Sequence, residues 1–355
     1  MYAPRPHPCG RGSQASGSAP PLAFGANRER GRTRALEPLV VIFRLVLACT
    51  AASAGTVHAQ EDFPSGPIDI VTHASPGGGT DTTARTLLIG AREALDTDVA
   101  VIPRTGGGGI VAMSYAANRP RDGHTVLAIT PTHLFAIARG QGPLTIDDLI
   151  PVARATDDPL VITVLSDSGI DDVEDLIALG RERPIKWGST QVGSIDHVAG
   201  AVFAQVAGTE LAVVPFAGGG EIVTNLMGGS VDAAALNLTE ALQQIERGEF
   251  RALAVMAGER IEALPDTPTT VELGYDATFS TVRGYVVLSG TGEDRVEILE
   301  QGLLAAMNHP SYLAYLDGAG LSRSAVAGRE AWGAQLEQLY GDARQAMIDL
   351  GIIQP

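Results

Sequence analysis

Residues 68–95, IDIVTHASPGGGTDTTARTLLIGAREAL, read as strand, glycine turn and helix, and later parts of the chain repeat that order. Ile68, Ile70 and Val71 are the β-branched opening of a buried strand. Pro76 and the run Gly77, Gly78 and Gly79 end it, because glycine alone reaches every backbone angle such a turn can require. Thr80, Asp81 and Thr82 are residue types that cap helix N-termini. Ala84, Leu87, Leu88, Ala91 and Leu95 recur at helical spacing and are expected to face a core. Such a turn points bare N–H groups and the positive end of a helix dipole at one place, which suits an anion. The same glycines also serve a turn that binds nothing, and the stretch alone leaves both readings open. Other glycine motifs fit poorly. Thr80 and Asp81 follow Gly79 where a phosphate loop needs Lys and Ser or Thr, and Thr82 stands where a dinucleotide fingerprint needs glycine.

Outward from this stretch, strands are expected over 99–102, 125–129, 160–165, 186–188, 211–216, 231–238, 251–256 and 281–288. Helical patterns lie between them and at 295–307 and 329–350. The alternation implies an α/β protein with mostly parallel sheet covered by helices. Glycine clusters at 77–79, 106–109 and 218–220 all follow a strand and precede a helix. Ligands of open α/β sheets bind beyond the carboxyl ends of strands, so several such turns converging on one cleft would form a pocket of backbone donors.

Residues 1–59 are expected to stand outside the fold. An apolar run from Leu39 decays into small residues and resembles a secretory signal peptide, with cleavage expected after Ala59 and Ala54 as second choice. Arg44 interrupts the run and suits the positive region of a signal that starts near residue 40, so residues 1–40 are expected to be a mis-called extension. Both cysteines, Cys9 and Cys49, fall in this leader, which leaves no thiol or disulfide chemistry for the remainder. The leader carries seven arginines and two acidic residues, so the formal charge goes from −16 to −21 without it, and Lys186 is the chain's one lysine. Such acidity argues against nucleic acid and anionic membrane surfaces. It also means that an anionic ligand is held by local dipoles and one or two arginines. About 296 residues exceed what one core usually fills, so two lobes are expected.

Enzyme motifs are missing. Ser189 follows Gly188 and Trp187 and makes no G-x-S-x-G elbow. There is no H-E-x-x-H, and His73, His124, His133, His197 and His309 stand apart from one another in sequence. The acidic pairs at 147–148, 157–158 and 171–172 read as solvated caps. No cofactor or metal is expected.

The motifs FPSGPI at 63–68, PGGGTD at 76–81, Arg104 before a glycine run, DGHT at 122–125, VPFAGG at 214–219, GSVD at 229–232, RALAV at 251–255 and LPDTPT at 264–269 together resemble the substrate-binding receptors of the tripartite tricarboxylate transporter family, the Bug proteins. The resemblance covers the chain from Phe63 to its end. It implies a type II-like, two-lobed periplasmic binding protein with the ligand cleft between lobes, made of residues 60–160 plus 281–355 and of 161–280. It implies capture of a small organic carboxylate, delivery to integral-membrane permease subunits, and a monomer. A periplasmic sensor subunit is the alternative, and an enzyme on the same scaffold a more distant one.

Carried over, the ligand contacts are Ser75, Gly77, Gly78, Gly79, Thr80 and Asp81 on one side, and Ser189, Thr190, Gly193 and Ser194 on the other. Phe216, Ala217, Gly218 and Gly219 form the next loop. Asn237 and Thr239 are candidates to read the far end of the ligand. The Asp81 carboxylate is expected to cap the helix and its N–H to face the ligand. Arg283 either reaches the cleft and pairs a second carboxylate or stays a solvated or lobe-bridging residue. Ala74, Pro103 and Ala217 depart from the family pattern and point to a roomier, less cationic pocket.

Overall fold

The structure is a computed structural model that describes residues 62–354, so the expected leader, its cleavage site and both cysteines lie outside the described residues. The opening stretch folds as β1 (Ile68–Thr72) and α1 (Gly79–Leu95). Ala84, Leu87, Ala91 and Leu95 are buried as expected, while Leu88 is only partly covered. Helix α1 packs on α8 (Glu293–Met307) so closely that a Cβ on Gly90 would stand 2.8 Å from the Ala306 Cα. The two helices therefore touch backbone to backbone at that point.

Strands β2 (Val99–Pro103) and β3 (Thr125–Ile129) flank β1 in parallel, with α2 (Ile110–Ala117) crossing between them. A second parallel set follows: β5 (Ile185–Ser189) lies between β6 (Leu211–Pro215) and β7 (Ala233–Asn237), linked by α5 (Ile195–Ala207) and α6 (Gly219–Met227) and preceded by α4 (Val173–Glu182). The sets meet through β4 (Leu149–Leu165) and β9 (Ser280–Leu288). As far as Pro159, β4 pairs antiparallel with β9. From Leu160 onward it pairs with β7 and with β8 (Phe250–Val255). The strand order is β2-β1-β3-β9-β4-β7-β5-β6.

The fold is thus a two-lobed α/β architecture on a mixed sheet, and the expectation of mostly parallel strands holds only for its two ends. Among the described residues every antiparallel pairing involves β4 or β9. The chain leaves the first parallel set along β4 and returns to it along β9, so neighbouring strands there run in opposite directions.

The first half of β4 escapes a pattern reading because Pro151, Thr156, Asp157, Asp158 and Pro159 interrupt its alternation. Thr156 and Asp158 are nevertheless fully buried, which corrects the reading of residues 157–158 as a solvated cap. The remaining helices are α3 (Pro131–Ala138), α7 (Leu238–Glu246), α9 (Pro310–Gly318) and α10 (Arg329–Asp349), and β10 (Ala327–Gly328) pairs with β4. Helix α7 starts at Leu238, inside the stretch whose alanines and leucines read as strand to that residue.

Candidate functional site

The first glycine turn has the geometry its sequence asks for. Ser75 O accepts from Gly78 N at 2.9 Å, Pro76 occupies the first central position, and Gly77 the second with φ +84°. Proline followed by a residue at positive φ is what a type II turn requires. The buried Asp81 carboxylate reaches back to accept from Gly77 N at 2.9 Å and accepts from Arg85 Nε and Nη2, at 2.7 and 3.0 Å. With Gly77 and Gly78 so engaged, the amides left over are those of Gly79, Thr80 and Asp81, which have no acceptor among the described residues. They are the first amides of α1 and carry the positive end of its dipole.

Two further helices start at the same place. At α6, Ala217 N donates to Glu221 Oε2 at 2.7 Å, while the amides of Gly218 and Gly219 have no acceptor among the described residues. At α5 the loop is bound to itself. Thr190 N donates to Asp196 Oδ2, Thr190 Oγ1 to Asp196 Oδ1 at 2.8 Å, Gly193 N to His197 Nδ1 at 2.7 Å, and Ser194 N to Gln191 O at 3.2 Å. Its first helical amide, Ile195 N, donates to Thr132 Oγ1 on α3 at 3.3 Å.

Between these turns lies a cavity of about 110 Å³, lined among others by Ser75, Gly79, Thr190, Ala217, Glu240 and Arg283. A cavity of ~150 Å³ holds benzene, so the space suits a molecule of a few heavy atoms. Arg283 on β9 is 2% exposed. Its Nη1 donates to Asp158 Oδ2 at 2.7 Å, and Asp158 also accepts from Thr239 Oγ1 at 2.6 Å. Arg283 Nε has no partner among the described residues. The guanidinium rests on the first turn, since a Cβ on Gly79 would stand 2.5 Å from Arg283 Nη2. Burial works against this charge, but Asp158, joined by Tyr315 and Glu240, more than restores it and the pKa stays above the ordinary arginine value.

The other titratable groups are set by desolvation. Burial, then repulsion from Arg283, lowers His73 to about 4. Burial, then His73, holds His133 well below its ordinary value, and the two neutral rings meet edge to face with centroids 4.4 Å apart. Burial raises Asp196, and burial raises Glu240 to about 7 against the pull of Arg283. Hydrogen bonds also link segments far apart in the chain around the cavity. Gly108 N donates to Gln191 Oε1 at 2.6 Å, and Thr281 Oγ1 donates to Asn237 Oδ1 at 2.6 Å. Among the described residues no cluster of three or more His, Cys, Asp or Glu side chains is arranged to hold a metal.

The sequence model of the tripartite tricarboxylate transporter family receptor matches residues 83–339. The chain belongs to this family. Protein BugT of Bordetella pertussis is 31% identical to this receptor over 255 residues, 70% of this chain and 78% of BugT. A TctC solute-binding protein from Polaromonas matches with a TM-score of 0.65 at 27% identity, over 81% of this chain and 99% of that one. An R. palustris protein solved with adipate gives a TM-score of 0.75 at 26% identity, over 82% and 99%.

Of the receptor's expected contacts, Ser75, Gly78, Gly79, Thr80, Thr190, Ala217, Gly218, Gly219, Asn237 and Arg283 line the cavity. Gly77, Asp81, Ser189, Gly193, Ser194, Phe216 and Thr239 do not, and the reason is the same in most cases: each holds a loop in place. Asp81 is fully covered, and its carboxylate takes the Gly77 amide ahead of the N-cap rather than an amide of the helix itself. Ser189 and Ser194 are buried, and both hydroxyls bond Gln191 O. Gly193 lies under the Arg139 guanidinium. Phe216 packs into the core beside Ile222, and Thr239 is tied to Asp158. The cluster at 106–109 brings Thr105 to the cavity and Gly108 to Gln191, but none of its glycines lines the wall.

Sequence reasoning missed His73, Thr130, Thr132, Gln191, Asp196 and Glu240. No local spacing marks these six; spacing marks only the side chains that tie the turns. Asp81, His197 and Glu221 each stand four residues after the amide they cap, and that interval marks which later residues belong to each turn.

Proposed function

We propose that this receptor is a periplasmic solute-binding protein that captures a small organic carboxylate in the cavity and delivers it to the integral-membrane permease subunits of a tripartite transporter. What carries the reading is the convergence of two unsatisfied helix N-termini, at Gly79–Thr80 and Gly218–Gly219, with the Arg283 guanidinium on one cavity. Backbone amides at a helix start and a guanidinium are complementary to a carboxylate, and both act more strongly away from water. The family and the adipate-bound relative support the ligand class.

On this reading no bond is made or broken. The lobe boundary falls where β4 passes from β9 to β7 and β8, near Pro159 and Ser280, which divides the chain into about 62–159 plus 280–354 and 160–279. Ligand binding favours the closed arrangement because only there do both N-termini reach the same molecule. Gln191 to Gly108 and Thr132 to Ile195 are then contacts made on closing. The protein acts as a monomer.

A panel of small carboxylates tested by thermal shift decides the matter. A ligand at 100 times its dissociation constant stabilises the folded protein by about 2.7 kcal/mol. A rise in Tm with at least one carboxylate, lost in Gly79→Val, is the expected result. A panel with no response refutes the reading.

A further inference from the structure

Glu240 sits in the first turn of α7, and its side chain lines the cavity. Its carboxylate lies directly beneath Gly219, where a Cβ would fall on it. An acid at the start of a second anion-binding turn is a misfit in a pocket built for anions. The surrounding charges do not neutralise it. Arg283 on β9 is already engaged by Asp158 on β4, and Asp196 at the start of α5 adds another carboxylate on the same wall. Glu221 on α6 is turned to the Ala217 amide, and Tyr315 on α9 adds no positive charge. The Asn237 backbone at the start of its own helix offsets this only weakly.

We infer that Glu240 sets the ligand class: the receptor selects a monocarboxylate whose far end carries a hydrogen-bond donor, hydroxyl or ammonium, over a dicarboxylate. This rests on the carboxylate reading above and deepens it. The ligand's one carboxylate occupies the Gly79, Thr80 and Arg283 end. Its far end meets Glu240, which accepts a hydrogen bond and repels a second anion. Glu240 is therefore a specificity-determining residue, and the preference depends on its ionisation. Its carboxyl titrates near neutrality. Protonated at pH 6, it tolerates a second carboxylate; ionised at pH 8, it rejects one.

The test uses three four-carbon probes, 4-hydroxybutyrate, γ-aminobutyrate and succinate, titrated calorimetrically into the wild-type protein at pH 6 and pH 8. At pH 8 at least one donor-ended probe is expected to bind tenfold or more tighter than succinate, and the ratio is expected to narrow several-fold at pH 6. In Glu240→Gln the ratio is expected to lose its pH dependence, with succinate gaining affinity at pH 8. The wild-type pH series needs no variant to fold, so the inference stays exposed even if Glu240→Gln is unstable. Succinate binding the wild type as tightly as the donor-ended probes at pH 8, or an unchanged ratio in Glu240→Gln, overturns the role of Glu240 and leaves the carboxylate receptor standing. No binding of any probe at either pH, together with a silent carboxylate panel, overturns both.

Discussion

The starts of α1 and α5 are built alike and part at the first helical amide. In each, the residue before the N-cap donates its amide to a side chain four positions on: Gly77 to Asp81 and Gly193 to His197. Helix α6 repeats the device with Ala217 and Glu221. After that the two diverge. The next amides of α1, at Gly79 and Thr80, open onto the cavity, whereas Ile195 of α5 is taken by Thr132 and Thr190 by Asp196. A glycine turn before a helix is thus a capability, and the neighbouring side chains decide whether it is spent on the protein itself or kept for a guest.

Four experiments break or sharpen this contrast. The largest effect is expected from Gly79→Val, which sets a side chain where Arg283 rests 2.5 Å from the position of a Cβ. Ligand affinity should fall about 100-fold or more, roughly 2.7 kcal/mol or above, while circular dichroism remains native. Retained affinity would move the guest away from α1.

Next comes a pH effect that needs no ligand. Glu240 titrates at about 7 when folded against an ordinary 4.5, so the folded protein holds this proton more tightly than the unfolded chain. Its contribution is full below about pH 4.5 and is lost as pH rises through 7, by roughly 1–3 kcal/mol. His73, lowered from 6.5 to about 4, acts with the opposite sign and costs stability as pH falls from 6.5 toward 4. Urea melts of wild type and Glu240→Gln across pH 4–8 separate the two, because only the Glu240 part should disappear in the variant.

Smaller again is Asp81→Ala, which strips the cap from Gly77 and the partner from Arg85. A loss of about 1–2 kcal/mol in urea unfolding is expected, with weaker ligand binding as the turn loses its shape. Smallest is Thr132→Val, which orphans the Ile195 amide. About 1 kcal/mol of the closed form's stability should go, an affinity loss of about fivefold, with the urea midpoint of the ligand-free protein unchanged. A much larger affinity change there would make α5 a second open turn and erase the contrast.

The strand, turn and helix at 68–95 were legible because period, punctuation and cap residues agree over 28 residues. The same agreement placed β3, β9, α8 and α10. What stayed hidden depends on contacts between residues far apart in the chain. Asp158 looks like a surface acid until β9 brings Arg283 across from it, 125 residues later. Glu240 lies on a helix whose beginning shares the apolar run of β7, so neither the helix nor the direction of its acid could be read. Thr132 and Gln191 matter only because they reach across the cavity, and no local pattern records that. The split of Ser189–Ser194 into residues that bind and residues that hold the loop was equally beyond sequence, since glycines and serines serve either purpose.

Arg283 and Asp158 stand on the very strands by which the chain crosses from one parallel set to the other. In a jaw that swings about those strands, they lie near the fulcrum, where travel is least. The positive charge that greets an incoming acid hardly shifts as the jaw moves, whereas Gln191 and the α6 turn sit out on the lever arm and sweep the greater distance. On the proposed reading, recognition of charge comes first and is nearly independent of posture, and the far tips decide whether the jaw stays shut.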